Sequence, residues 1–351
     1  NRIVLSSPVL SASKMRQISQ VEKSGFAMAR IDLNYDENLT LEQAVNDICQ
    51  QAETAVRAGN VLIVLSDKDI VKGKIPANAI MATGAVHHHL IKVGLRADAN
   101  IIVKTGLIRD SHHVAVLVGF GATAVYPYLA YSVIADLVAR GELLGDPLYA
   151  QHNFRKSLDK GLLKILSKMG ISTVSSYRGA QLFEAVGLSD EVVNLCFKGV
   201  ESRIQGASFA DLELDQKLLA NHAFSKRVPL DQGGLLKFVF NKEYHAFNPD
   251  VIQALHRAVR TGDYSNYQEY AGLVNSRPVA TLRDLLQLNT SNSIAVEEVE
   301  GIENILKRFD SAGMSLGALS PEAHEAIATA MNTIGGRSNS GEGGEDPTRY
   351  G

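Results

Sequence analysis

The chain has 351 residues, 45% hydrophobic and 21% charged, enough for one large or two ordinary domains with buried cores. A formal net charge of -3, with no Lys/Arg cluster interleaved with aromatics, leaves no electrostatic footprint for nucleic acid. The longest apolar run, near residues 61–65, is strand-sized, so no membrane partner is implied.

The first five residues, Asn1-Arg2-Ile3-Val4-Leu5, are neither a methionine start nor a signal peptide, and they predict an excised segment or a processed chain. Strand-like β-branched runs follow at 29–33, 61–65, 101–103, 123–126 and 172–175, separated by helical patterns. The clearest helix spans 41–58, with apolar residues at Leu41, Ala44, Val45, Ile48, Ala52, Ala55 and Val56. Thr40 and Gln43 read as a capping box at its start, and Gly59 closes it. Strands separated by helices run parallel, and strands apolar on both faces are covered on both sides. The predicted class is therefore α/β, a layer fold or partial barrel of parallel β-α units. From 190 to 237 the periodicity weakens, and Val192, Val193, Leu195, Val200, Phe209, Leu212 and Leu214 predict helices decorating the sheet. Asn248-Pro249 reads as an N-cap and first-turn proline opening a helix to 259. Tyr264, Tyr267 and Tyr270, at three-residue spacing, read as packing. The polar stretch 288–294 is the best domain boundary, giving domains 1–290 and 291–351. After it Val299, Ile302, Ile305, Leu306 and Phe309 predict one apolar helix face.

Ligands of parallel α/β folds bind outside the carboxyl ends of the strands. That rule gathers Asp32, Asn34, Ser66, Asp67, Lys68, Lys104, Thr105, Gly106, Tyr126 and the run 175–180 on one edge. In that run a strand ending in serines, then Arg178-Gly179 opening a helix over 180–186, makes Ser176, Arg178 and Gly179 a candidate site for phosphate or carboxylate. The other reading pairs Arg178 with a neighbouring acid and leaves the serines as caps. No metal site is expected. His87-His88-His89 and His112-His113 are consecutive on helices, about 100° apart per residue, and lack the i,i+4 spacing of a metal pair. They are expected to bridge polar contacts. The two cysteines, Cys49 and Cys196, read as small buried hydrophobes in a reduced, cytosolic or plastid-like compartment; two thiols cannot hold an iron–sulfur cluster of the usual kind. Gly119-Phe120-Gly121-Ala122 precedes a strand and has no third glycine, so it reads as a helix-to-strand turn instead of a dinucleotide fingerprint. Asn1 is no N-terminal nucleophile, and no catalytic residue is assigned.

Near the C-terminus, Gly313-Met314-Ser315-Leu316-Gly317-Ala318-Leu319-Ser320 leads into a helix with Ser320 as N-cap and Pro321 at its first position. A glycine- and acid-rich loop, Ser338-Asn339-Ser340-Gly341-Glu342-Gly343-Gly344-Glu345-Asp346, follows. This order resembles the opening of the flavin-binding barrel of glutamate synthases, and 175–181, 84–90, 119–129 and 247–271 resemble the central domain of the same family. The resemblance implies a degenerate FMN-type barrel without flavin over 1–290, with a helical extension, and the first β-α element of a TIM-type flavin barrel over 291–351. It implies a whole enzyme that takes the amide nitrogen of glutamine, passes ammonia through an internal tunnel, and reduces the imine of 2-oxoglutarate to glutamate. FMN and an iron–sulfur cluster belong to that enzyme, with electrons from ferredoxin or a pyridine-nucleotide subunit, in the cytoplasm or plastid stroma. Carried over to this chain, Met314, Ser315 and Gly317 would lie at the FMN, with Ser315 and Gly317 where the first barrel strand ends. Ser340 and Glu342 would lie at the tunnel entrance, Glu342 as a gate. The fragment alone is expected to be inactive and to hold no cofactor tightly. Two other readings stay open: a stand-alone α/β enzyme or binding protein for a phosphorylated ligand at Arg178, and a purely structural docking domain.

Overall fold

Helices, most of them capped by a side chain at their own start, carry four of the strands to one parallel sheet, with two further two-stranded sheets beside it. The computed structural model describes residues 3–21, 25–225 and 233–350, in two compact units, Asn1–Asp231 and Gln232–Gly351. In the first unit the elements are α1 (Ala12–Ile18), β1 (Met28–Asp32), β2 (Asn34–Asp36), α2 (Leu41–Arg57), β3 (Leu62–Ser66), β4 (Lys74–Pro76) and α3 (Ala79–Lys92). They continue as β5 (Asn100–Lys104), α4 (Ser111–Gly119), β6 (Ala124–Tyr126), α5 (Tyr128–Ala139) and α6 (Pro147–Lys168). The unit closes with α7 (Val174–Tyr177), β7 (Glu184–Leu188), α8 (Asp190–Cys196), β8 (Glu201–Ala207) and α9 (Phe209–Ala223).

The central sheet has the order β1-β3-β5-β6, all parallel, with Ser66, Lys104 and Tyr126 aligned on one rung. Residues 8–10 extend it beyond β6, since the Val125 N–H donates to the Pro8 carbonyl and the Leu10 N–H to the Val125 carbonyl, both at 2.8 Å. Alternation sends Ile63, Leu65, Ile101, Val103 and Val125 to a core shared with α2, α3 and α4. The opposite face, Leu62, Val64, Ile102 and Ala124, packs on Leu10 and on Met15 and Ile18 of α1. Burying each of the Leu, Ile, Val and Met side chains among these stabilises by about 1.5–3 kcal/mol relative to exposure. The two hydrogen bonds of the Thr40–Gln43 capping box form as expected, and Leu41, Ala44, Val45, Ile48, Ala52 and Val56 are buried. The mixed α/β architecture with a parallel sheet is therefore present; the four strands form an open sheet.

Two expected elements differ. Residues 172–175 are not a strand: the Thr173 hydroxyl accepts the Ser176 N–H and starts the single turn α7. Local side-chain-to-backbone bonding outcompetes the β-branched run. Residues 180–186 do not form a helix either. Their second half is β7, paired in parallel with β8, a partner remote in sequence. Around 200–207 a strand likewise replaces the expected helical decoration.

The second unit contains α10 (Pro249–Thr261), α11 (Tyr264–Asn275), α12 (Ile302–Leu306) and α13 (Pro321–Thr333). The first begins at Asn248-Pro249 as expected and ends on Gly262 at φ 65°. Tyr264, Tyr267 and Tyr270 form a run of ring contacts along α11. The helix expected across 299–309 is only one turn, because Phe309 leaves it to accept the Arg337 N–H at 2.9 Å. The strand expected to end near Ser315 is also absent. Ser315 instead starts a 3-10 turn over Leu316–Ala318, and only an isolated parallel bridge joins Asp310 to Arg337. No helix among the described residues is long and apolar enough to cross a membrane.

Candidate functional site

In the second unit the residues expected at a flavin and those expected at a tunnel meet. The segment 311–316 runs beside the loop 337–344 through rung-like bonds: Ser311 N–H to the Arg337 carbonyl (2.9 Å), Met314 N–H to Asn339 (3.2 Å) and Leu316 N–H to Gly344 (3.3 Å). The Asn339 N–H donates to Ser311 Oγ and the Gly341 N–H to Asn339 Oδ1, each at 2.9 Å. Glycine is required where the two strips touch. A Cβ on Gly343 would lie 2.5 Å from Ser315 Cβ, and Gly341 and Gly344 hold φ of 58° and 72°. Met314, Ser315, Gly317, Ser340 and Glu342 thus belong to one small assembly, with Glu342 exposed at the loop's tip. Gly317 leaves its backbone open on one side, since an added Cβ would meet nothing nearer than Ser315 Oγ at 3.9 Å.

One positioning residue was missed. His324, on the first turns of α13, is buried and its Nε2 lies 3.0 Å from the Met314 carbonyl, while Arg349 approaches Nδ1 at 3.5 Å. The signal was available: four residues past the Ser320 cap, a histidine on a short amphipathic helix turns back toward the preceding segment.

At the carboxyl ends of β3 and β5 the first unit buries Asn34, Ser66, Asp67 and Thr105. Asp67 accepts the Gly106 N–H at 3.0 Å and the hydroxyls of Thr105 and Tyr128. Burial raises its carboxyl pKa, and those donors oppose the rise. Asp32 Oδ1 accepts the Asn34 amide at 2.7 Å, and Asn34 donates onward to the Lys68 carbonyl at 3.0 Å. The polar edge expected at the carboxyl ends is present for these residues and mostly satisfied internally, but the run 175–180 does not join it: Arg178 and Gly179 bond to Thr123 and Gly119, ahead of β6.

Ser176, Arg178 and Gly179 do not sit at a helix start. Arg178 follows α7 and donates to Thr123 Oγ1 at 2.7 Å, not to an acid, and the Gly179 N–H is used by the Gly119 carbonyl at 2.8 Å. The Ser176 hydroxyl lies 2.8 Å from Thr173 Oγ1. The adjacent histidines diverge. His89 Nε2 meets Glu53 at 2.7 Å, and His87 Nδ1 accepts from Arg96 Nε at 2.8 Å. Burial, then the charges of Arg96, His88 and Arg178, push His87 down to about 4. Among the described residues no group of three or more His, Cys, Asp or Glu is placed to hold a metal ion. Cys49 and Cys196 are buried free thiols with pKa values raised by burial.

Comparison with known proteins follows the same division of the chain. Residues 1–189 match the glutamate synthase central domain family, and residues 245–351 match a conserved region in glutamate synthase. A ferredoxin-dependent glutamate synthase of Pyropia yezoensis is 43% identical over 363 residues, covering 99% of this chain and 24% of that protein. The large chain of the NADPH glutamate synthase of Bacillus subtilis is 39% identical over 352 residues, covering 99% and 23%. That of Azospirillum brasilense is 42% identical over 354 residues, with 99% and 23% covered. The chain thus spans about a quarter of the length of these relatives. A solved mandelate oxidase structure is 15% identical over 47% of this chain and 58% of that one, with a TM-score of 0.32, too low to bear on the fold.

Proposed function

Because the chain belongs to the glutamate synthase family, we propose that it connects the glutaminase and synthase sites of such an enzyme and contributes to the wall of its ammonia tunnel. The reaction of the whole enzyme is glutamine plus 2-oxoglutarate plus reductant giving two glutamate. Residues 1–290 are assigned to the connecting domain, as a degenerate FMN-type barrel, and 291–351 to the start of the FMN-binding domain. Residues 232–290 pack with the C-terminal unit, which ties the two assignments together. The rest of the enzyme chain is the immediate partner; ferredoxin or a pyridine-nucleotide subunit supplies electrons.

FMN, bound in the whole enzyme, supplies the hydride that reduces the imine. The residues here fit part of such a site. Gly317 leaves backbone open to a flat ring, and the Ser315 N–H donates to no carbonyl among the described residues. Met314 is held in place from behind by His324. This chain's two cysteines, both buried, do not fit an iron–sulfur cluster, so any cluster lies outside these residues. A closed path for ammonia replaces a dilute bimolecular encounter and excludes water that would protonate it.

The observation that carries this reading is the backbone pairing of 311–316 with 337–344. Through it, a shift of Met314–Gly317 at the synthase side is transmitted to Ser340 and Glu342 at the loop. In the whole enzyme, Glu342→Ala is expected to let glutamine hydrolysis outrun 2-oxoglutarate consumption. If the two remain stoichiometric, Glu342 is no gate.

A further inference from the structure

We infer that the cleft between α1 and the carboxyl ends of β5 and β6 binds a compact, doubly charged oxyanion, a small molecule carrying a phosphate group or two carboxylates. It lies in the first unit and owes nothing to the turn–loop assembly of the second.

The cavity is about 430 Å³ and is lined by Arg16, Lys68, Lys104, Tyr126, Tyr128 and Ser132, among others, with no carboxylate in its wall among the described residues. That volume is in the range of small-molecule sites. The strands dictate the arrangement. Lys104 and Tyr126 share the last rung of the sheet and lie on the face that carries Ile102 and Ala124, the face covered by α1. Their side chains therefore emerge together where α1 ends its cover, and Arg16 reaches the same opening from the helix.

The two acids that act on Lys104 among the described residues are already committed. Asp67 takes the Thr105, Gly106 and Tyr128 donors, and Asp69 is paired with Arg30 at 2.6 Å. Among the described residues the Arg16 guanidinium, the Lys68 and Lys104 ammonium groups and the Tyr126 hydroxyl have no acceptor. Lys104 is half-buried, and its pKa is lowered by burial first and then by Lys68 and Arg30. Three cations and a free hydroxyl converging on a concave space at the strand ends is an arrangement that an oxyanion stabilises through charge-assisted bonds.

The test is isothermal titration of the full-length protein with inorganic phosphate and, separately, with succinate. Lys104→Gln is expected to weaken binding of the preferred probe about tenfold or more, as the loss of one charge-assisted bond implies. Lys104→Arg keeps most of the affinity, and Lys14→Gln, on α1 but outside the cavity, changes nothing. Tighter phosphate binding assigns the site to phosphate-bearing ligands; tighter succinate binding assigns it to dicarboxylates. Other anion sites in the full-length protein contribute equally to every variant. If neither probe shows affinity that depends on Lys104, while the variant melts as the parent does, the inference is overturned. The readout is heat of binding, so its failure is distinct from that of Glu342 gating.

Discussion

Gly84 offers the sharpest test of how the first unit is packed. It lies inside α3, where replacing Gly by Ala ordinarily stabilises a helix by about 0.5–1 kcal/mol. Here a Cβ would stand 2.0 Å from the Cys196 carbonyl oxygen and 3.2 Å from its carbon, where ordinary contact begins at 3.4 Å. The obstacle is backbone at the end of α8, fixed among Val192, Val193 and Phe197 of the main core, so no side chain can swing aside. Overpacking costs about 1–3 kcal/mol, and a 2.0 Å approach to fixed backbone belongs at the upper end, about 2–3 kcal/mol; less the propensity gain, the net loss is about 1–2 kcal/mol. Gly272, four residues before the C-cap of α11 and exposed, has nothing within 4 Å of its added Cβ. The same substitution there gains the full helix term. Hydrogen exchange read by mass spectrometry reports both regions in one protein. Gly84→Ala should speed exchange in α3 and α8 about 5–30-fold, and Gly272→Ala should slow it in α11 about two- to fivefold. Exchange of α3 and α8 within twofold of the parent would show that the two helices part freely, and the packing argument would fail.

His87 is an acid-sensitive point of the fold. Its folded pKa of about 4 lies below the ordinary 6.5, so the unfolded chain binds more protons between those values. Stability should fall by on the order of 2–3 kcal/mol as pH drops from 6.5 to 4; melting curves of His87→Gln should lack most of this slope, and an unchanged slope would exonerate His87. Asp67 acts in the opposite sense. Its folded pKa is raised above 3.8, chiefly by burial, so the folded state holds its proton longer, and stability is lost as pH rises from 3.8 through the folded value. Asp67→Asn should gain on the parent across that window in the same melting series; parallel curves would remove the burial argument. Gly343→Ala should drive the loop 338–346 away from Ser315, seen as faster limited proteolysis there. Ser315→Gly in the same chain should restore resistance, because the atom it clashes with is gone. Failure of the second substitution to rescue would mean that contact does not hold the loop.

What was legible in the sequence was whatever is decided locally. The Thr40–Gln43 box, the three-and-four spacing after Leu41 and the unbroken apolar run at 61–65 each name one structure, because caps and periodicity are properties of adjacent residues. Asp146-Pro147 carried the same N-cap and first-turn proline as Asn248-Pro249 and could have announced α6, which continues with buried Leu158, Leu162 and Leu166. The segment 172–175 looked like a strand because its β-branched residues favour one; the Thr173 hydroxyl decided otherwise by bonding the N–H and the hydroxyl of Ser176 in its own turn. β8 gave no warning of itself. It is mostly exposed, without apolar alternation, and exists because β7 lies beside it.

The candidate site divides along the same line. The glycines of 341–344 and the Met314–Gly317 turn were legible as one motif through resemblance to a family, yet nothing in their spacing says they touch. The contact is made by Asn339, which accepts from its own loop and, through its carbonyl, from Met314, and by His324, which fixes Met314 from behind. The bonds to Met314 come from residues ten or more positions away, and isolated polar residues carry no periodicity that would announce them. The cationic cleft under α1 was half visible, as Lys68, Lys104 and Tyr126 at predicted strand ends. Arg16 could be added only once the sheet's second face was known to pack against Met15 and Ile18. A helix placed by its apolar side thus brings its polar side to the strand ends, and the charge of the cleft follows from the packing of the core.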